Sequence, residues 1–287
     1  MKEVNQLVHL TKNFDSLVSI IENGIHSSYA QEVFCGKKIL IPMISFSNLL
    51  FRDIGENEVV DYGSYGIGIE RQIGIQFDLN PVVYVYENNI IESGIKNGFE
   101  FSMLPQVLDE VKEFYKGCKC DKITEHINFK PLPTEVGDLL NSISEDTDDK
   151  LIQAIKNLFG KLFENSYRQI LLAKAYKIFR KNGAEFFAYN EREWRKSFFD
   201  LHFIKEKKPN GDINDEFTKF SNTPKPHLIE DKYTLKLPIE KIKYIIVKET
   251  NEINSVSKKI IELFGKIPEN MIIDTLDNLK KTENKYC

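Results

Sequence analysis

Three clusters along the chain place reactive side chains where they can act together. His9-Leu10-Thr11 reads as a strand end, and because strand side chains alternate it delivers an imidazole and a hydroxyl onto one face. Both groups donate and accept hydrogen bonds, which suits a ribose or a carboxamide. A lone histidine near a strand serves equally well as a satisfied structural residue. Asn190-Glu191-Arg192-Glu193-Trp194-Arg195 sets two carboxylates two residues apart on an extended segment, so that they point the same way. One can then act on a substrate hydroxyl while the other orients a nucleophile. The alternative is a solvated cluster in which Glu191, Arg192, Glu193 and Arg195 neutralise one another. Tyr62-Gly63-Ser64-Tyr65-Gly66-Ile67-Gly68 alternates rings with glycines, offering flat faces for stacking and room for a ligand to approach the backbone. A hairpin of packed tyrosines fits the same pattern. The stretch lacks both the Gly-Lys-Ser/Thr ending of a phosphate loop and the third glycine of a dinucleotide fingerprint.

The elements that must position these groups follow from periodicity. Asn13 and Gly24 bracket Phe14 to Asn23, whose apolar residues recur at helical spacing, as N-cap and C-cap. Lys38 to Ser47 is apolar and β-branched enough for one or two short strands broken near Pro42. Glu70 to Ile75 fits a brief helix, and Pro81 to Tyr86 a strand. From about residue 101 the pattern turns helical, over Leu104 to Tyr115, Asp148 to Phe163 and Ser166 to Lys181. Strand character returns at Glu185 to Tyr189 and Trp194 to Phe199. Residues 205 to 227, rich in Lys, Asn, Asp, Pro and Thr, read as a long loop. Lys243 to Val247 is a strand, 252 to 264 an amphipathic helix, and the polar tail after Leu279 is expected to fray. These spans describe one α+β domain over 1–287, with 101–183 as a helical insertion beside a sheet made from both chain ends.

Composition narrows the classes of function. Hydrophobic residues make up 41% of the 287 and charged residues 29%, a globular balance. Net charge is −4, so the basic surplus of a general nucleic-acid binder is missing, which neither indicates nor excludes nucleic acid. Met1-Lys2-Glu3-Val4 lacks the pattern of a secretory signal, so a cytoplasmic location with reduced cysteines is expected. Cys118-Lys-Cys120 has only His126 nearby, too few ligands for zinc, and no metal is expected. No apolar run approaches the roughly 20 residues that span a bilayer.

Taken in order, the blocks His9 to Phe14, Ile41 to Ser47, Tyr62 to Ile69, Asn80 to Val85, Asn190 to Arg195 and Ile242 to Val247 resemble the AbiGi-type abortive-infection proteins. The same skeleton resembles ADP-ribosyltransferases of the histidine, tyrosine, glutamate type, including their DNA-modifying toxin branch. That resemblance implies an ADP-ribosyltransferase-like split β-sheet and NAD as substrate, cleaved at its nicotinamide bond without a metal. It implies that His9 and Thr11 bind NAD, with Ser45 and Gly66 beside them, that Tyr62 or Tyr65 stacks on the nicotinamide, and that Glu193 is the catalytic carboxylate with Glu191 assisting. His9, Tyr65 and Glu193 are then expected to meet in one cleft, and Glu193→Gln to abolish turnover and leave the fold intact. The acceptor would be a nucleic acid or a protein. AbiGi-like members are also described as the antitoxin of a two-gene system, which implies a non-catalytic binding protein with a partner toxin. An NAD glycohydrolase is the remaining alternative.

Overall fold

The computed structural model describes residues 4–34, 36–86, 92–93, 169–179, 185–198, 200–201, 203–207 and 211–285. Two compact units divide the chain, one made of Met1–Tyr86 with Leu172–Cys287 and the other of Glu87–Leu171. The helices expected over Leu104 to Tyr115 and Asp148 to Phe163 lie outside the described residues.

The first unit is α+β and is organised by one mixed sheet, with nine strands among the described residues. In chain order the strands are β1 (Gln6–Thr11), β2 (Ile25–His26), β3 (Ser28–Phe34), β4 (Lys37–Ser47), β5 (Tyr65–Glu70), β6 (Asn80–Pro81), β7 (Val83–Val85), β8 (Ala173–Ala175), β9 (Lys177–Phe179), β10 (Glu185–Phe187), β11 (Glu193–Ser197), β12 (Ile204–Lys205), β13 (Thr234–Leu235), β14 (Ile242–Val247) and β15 (Ile272–Thr275). The sheet runs β15-β14-β5-β1-β4-β11-β6, with β3 and β12 also paired to β4; the pairs β7-β8, β9-β10 and β2-β13 stand apart from it. β14 and β15 run parallel, and the other pairings of this sheet are antiparallel among the described residues. β14 is apolar over its last three residues because Ile245, Ile246 and Val247 are buried between two layers.

Helices cover both faces. α1 (Phe14–Asn23) begins where the Asn13 side chain accepts the Ser16 N–H at 2.8 Å and stops at Gly24, whose φ is 89°. Its Leu17 and Ile21 join Val256 and Ile260 of a helix over Ile253–Phe264 on one face. On the other, a 3-10 turn at Phe51–Asp53 and a helix over Leu276–Lys285 cover Val8 and Ile246. Two further helices, α2 (Glu56–Tyr62) and α3 (Arg71–Gln76), flank β5.

Several expectations are corrected. β4 runs unbroken through Pro42, opposite Tyr29. Tyr29 gives its own N–H to His227 Nδ1 at 3.1 Å, so the pair is of the non-hydrogen-bonded kind, and the N–H that Pro42 lacks faces the gap between β12 and β11. The expected strand over Pro81 to Tyr86 is split at Val82, which donates its N–H to the Glu193 carbonyl at 2.9 Å. Helical spacing over Ser166 to Lys181 gives way to β8 and β9, which pair with β7 and β10 rather than with the large sheet. The loop expected over 205–227 contains a helix at Asp215–Asn222, capped by Asn214, whose Phe217 is buried against Tyr29, Leu40 and Ile204. The tail expected to fray is helical to Lys285, anchored by buried Leu276 and Leu279. Among the described residues, no helix is long and apolar enough to cross a membrane.

Gly63 joins α2 to β5 with φ 112°, and a Cβ there would lie 2.0 Å from the Thr11 carbonyl oxygen. Gly265, just past the Ile253–Phe264 helix, is the matched comparison, since its φ is also positive at 79° but an added Cβ would meet nothing within 4 Å. Gly63→Ala should therefore cost about 2–4 kcal/mol, backbone strain plus overpacking, against about 1–2 kcal/mol for Gly265→Ala from strain alone. Urea denaturation of both variants checks this; equal losses would show that the close approach to Thr11 does not matter.

Candidate functional site

Glu193 opens β11, and pairing with β4 sets it opposite Ser47 and Arg195 opposite Ser45. Residues two apart on a strand share a face, so the two side chains meet. Arg195 Nε donates to Glu193 Oε1 at 2.8 Å and Nη2 to Oε2 at 3.1 Å. The guanidinium, fully buried, also binds Glu32 of β3 and donates to the Ala173 carbonyl at 3.3 Å. Lys174 of β8 donates to Glu193 Oε2 at 2.8 Å and to Glu191 Oε2 at 2.5 Å. Tyr62, at the end of α2, donates its hydroxyl to Glu191 Oε1 at 2.5 Å. The Glu193 N–H donates to the Tyr84 hydroxyl at 2.7 Å.

Glu191 and Glu193 do converge, but not along an extended segment. Glu191 ends a 3-10 turn, and Arg192 between them has φ 44°, a left-handed conformation uncommon outside glycine. The kink sends Arg192 to solvent and turns both carboxylates inward. The mutual neutralisation weighed for this cluster thus occurs in the interior, through Arg195 and not Arg192.

Burial alone would raise the Glu193 pKa, but Arg195 and Lys174 outweigh it and hold the carboxyl at about 2. Burial likewise favours neutral Lys174, yet Glu193, Glu32 and Glu191 push its pKa well above the ordinary lysine range. Burial first, then Glu191, pushes Tyr62 up, which keeps its hydroxyl a donor.

A cleft of about 80 Å³ opens beside this network, where β1 keeps the single pair Val8 to Ser47 with β4 and then diverges. His9, Ser45, Tyr62, Glu191 and Glu193 line it, with Glu58 and apolar walls from Val8, Leu10 and Phe46. One water needs about 10–15 Å³, so the cleft has room for several waters and would have to open for a dinucleotide. His9 Nδ1 lies 2.8 Å from the Ser45 carbonyl, an acceptor only, which fixes the proton on Nδ1. Burial lowers the His9 pKa, opposed by that hydrogen bond. Ser45 therefore meets His9 through its backbone.

Thr11, Tyr65 and Gly66 do not line the cleft. Thr11 pairs with Tyr65 across β1 and β5. The Tyr65 hydroxyl donates to Glu252 at 2.8 Å, and its ring meets Phe14 edge-on, which ties α1 and the Ile253–Phe264 helix to the sheet. Burial and Glu252 push its pKa to about 12. A Cβ on Gly66 would lie 2.4 Å from the His9 carbonyl oxygen, so this glycine permits close strand approach. The meeting of His9, Tyr65 and Glu193 is corrected in one member: Tyr62, not Tyr65, lines the cleft with His9 and Glu193, because the Tyr65 hydroxyl turns to Glu252. Among the described residues no group of three or more His, Cys, Asp or Glu is placed to hold a metal ion; Cys118, Cys120 and His126 lie outside them.

Residues 20–248 match the model of the family described as "Putative abortive phage resistance protein AbiGi, antitoxin". The chain belongs to this family. Searches of curated proteins and of solved structures find no match. The matched range of the AbiGi family contains every member of the ion network, Glu32, Lys174, Glu191, Glu193 and Arg195, as well as Tyr62 and Ser45, but not His9 or Thr11. Lys174 and Glu32 are hard to single out in the sequence because each is the one charged residue of its strand, with no partner close by in the chain. That placement was the available signal, since an isolated Lys or Glu at a core-facing position needs a buried partner.

Glu193 therefore contributes to stability as well as lining the cleft, so Glu193→Gln is not expected to leave the fold untouched. Its native pKa lies below the unfolded value of 4.5, so the stabilisation is complete above about pH 5 and is lost as pH falls toward 2. A shift of this size corresponds to about 3 kcal/mol. Glu193→Gln should lower stability at pH 7 by about 3–5 kcal/mol, as expected for a broken buried pair, and flatten the acid limb of the stability curve. Thermal unfolding from pH 7 to pH 2 tests this; an acid limb as steep in the variant as in wild type would refute the assignment.

Proposed function

We propose that the protein is the antitoxin of a two-component abortive-infection system and acts by binding a partner toxin rather than by transferring ADP-ribose. The observation that carries this reading is the state of Glu193: both of its oxygens accept hydrogen bonds from Arg195 or Lys174. A carboxylate stabilises a developing oxocarbenium through uncompensated negative charge, and here two cations already compensate it. The family's description as an antitoxin points the same way.

A second reading keeps the ADP-ribosyltransferase-like fold and NAD. It is favoured by the meeting of His9, Ser45, Tyr62, Glu191 and Glu193 around one cleft. In it, His9 and Ser45 would hold the nicotinamide riboside, Tyr62 would stack on it, Glu193 would act on the ribose with Glu191 assisting, and a nucleic acid or protein would be the acceptor. An NAD glycohydrolase would use the same residues with water as acceptor.

Nicotinamide release from NAD by the purified protein separates these readings, alongside co-expression with the product of the adjacent gene. The antitoxin reading expects no release above the blank, together with a co-purifying partner whose toxicity is relieved. Release by wild type that is lost in a folded Glu193→Gln variant would overturn it in favour of the transferase or hydrolase.

A further inference from the structure

β3 is an edge strand that the chain covers over only part of its length. It forms a hairpin with β4 in unbroken register, from Ser28 opposite Met43 to Phe34 opposite Lys37. Tyr29 and Pro42 form a non-hydrogen-bonded pair, so by alternation Gln31 with Leu40 and Val33 with Lys38 do too. The β4 side agrees, because Leu40 pairs outward with Ile204 and the Lys38 carbonyl accepts the Glu206 N–H at 3.0 Å. On the β3 side the main-chain groups of Gln31 and Val33 therefore point away from the sheet. The Tyr29 N–H on that edge is taken by His227 Nδ1, but among the described residues nothing pairs with the N–H or carbonyl of Gln31 or Val33. Both residues are exposed, Val33 at 46%.

An open edge recruits another strand, and proteins blunt it with proline, lysine, a bulge or a short strand. At one end of this sheet β6 is two residues long and ends in Pro81. β3 has seven residues and no proline, lysine or bulge. Its one carboxylate, Glu32, is taken by Arg195, and Glu206 is paired with Lys38. Glu216 acts on the Tyr29 hydroxyl, at the end of the strand already covered. The remaining charges are lysines: Lys37 stands at the hairpin end, and Lys225, two residues before His227, lies within electrostatic reach of Glu32 and Lys12. Lys12, Lys37 and Lys225 are exposed, and among the described residues none of them has a carboxylate partner.

The geometry points to the free edge of β3 as a docking site for an extended acidic segment of another protein, which adds to the sheet as a strand through Gln31 and Val33. Main-chain bonds supply the affinity, and the three lysines supply the preference for acidic side chains. A second copy of this chain fits poorly, because pairing Gln31 of each copy with Val33 of the other sets Glu32 opposite itself and brings like-charged lysines together. β3 lies within the family-matched range, and the inference rests on the antitoxin reading only for which protein supplies the segment.

The probe is a capped seven-residue peptide alternating valine and glutamate, titrated into the full-length protein while the amide shifts and hydrogen exchange of Gln31 and Val33 are followed by NMR. Both amides should shift saturably and exchange more slowly. Val33→Pro removes an outward N–H and obstructs an added strand but keeps the bonds to β4, so it should fold and bind about tenfold or more weakly. Lys37→Glu with Lys225→Glu should weaken binding about fivefold, and a peptide with lysine in place of glutamate should bind more weakly than the acidic one. Unchanged Gln31 and Val33 amides, equal affinity in Val33→Pro, or equal affinity for the two peptides overturns the assignment. If Val33→Pro does not fold, the exposed lysine pair decides, and wild-type affinity in that double variant overturns it. A dimer of the wild type that Val33→Pro dissociates in sedimentation also overturns it, by making a second copy the occupant. Absence of a co-purifying partner defeats the antitoxin reading and leaves the peptide result standing, so the two ideas fail separately.

Discussion

The ion network around Arg195 is the constraint on which the rest of the cleft depends. Burying five charged side chains costs several kcal/mol per ion, recovered only when each is paired and hydrogen-bonded in good geometry. That requirement ties β11 to β3 through Glu32 and to β8 through Lys174, while Ala173 supplies a carbonyl. A one-residue slip of β11 against β4 would turn Glu193 and Arg195 to the opposite face, where Phe46 and Trp194 pack with the core. The network therefore specifies register as well as contributing stability.

Main-chain geometry supplies what side-chain pairing does not. Tyr62 reaches Glu191 because Gly63 lets α2 end against the Thr11 carbonyl, an approach that any side chain would block. The strain at Arg192 has the same purpose from the other direction. A left-handed residue there costs about 1–3 kcal/mol, and it persists because the paired carboxylates on either side and the Asn48 N–H on its carbonyl fix the conformation. Pro42 shows the complementary case, a residue poorly suited to a strand that is tolerated where its missing donor faces a gap between two partner strands.

Much of the scaffold was legible in the sequence because it rests on local signals. Asn13 and Gly24 bound the first helix by capping chemistry alone, and Lys243 to Val247 could hardly be anything but a buried strand. The helix at Asp215–Asn222 was hidden by composition: its polar residues resemble a loop, and only Phe217, through long-range contact with Tyr29 and Leu40, gives it a reason to fold. The switch from helix to strand at Ala173 was hidden in the same way, since Ala173 to Phe179 carries no β-branched run and depends on its partners. At the cleft, the nearness of His9, Glu191 and Glu193 followed from the resemblance that joins these separate motifs. The choice between Tyr62 and Tyr65 did not, because it turns on which side of a glycine bend each ring emerges.

Whether a cleft built this way does chemistry depends less on which residues line it than on how their charge is already engaged. Spacing alone placed two carboxylates together, and spacing is satisfied equally by a catalytic pair and by a buried salt-bridge network. The difference lies in Lys174 and Arg195, which reach Glu193 from behind the lining and are separated from one another by 21 positions in sequence. Their attraction keeps Glu193 ionised, as a catalytic carboxylate requires, and at the same time uses up the field that such a carboxylate would apply to a developing cation. A low pKa at this position is therefore evidence of engagement rather than of reactivity. Removing either cation would leave Glu193 beside the other while restoring part of its field, so the behaviour of this cleft turns on Lys174 and Arg195 as much as on the residues that line it.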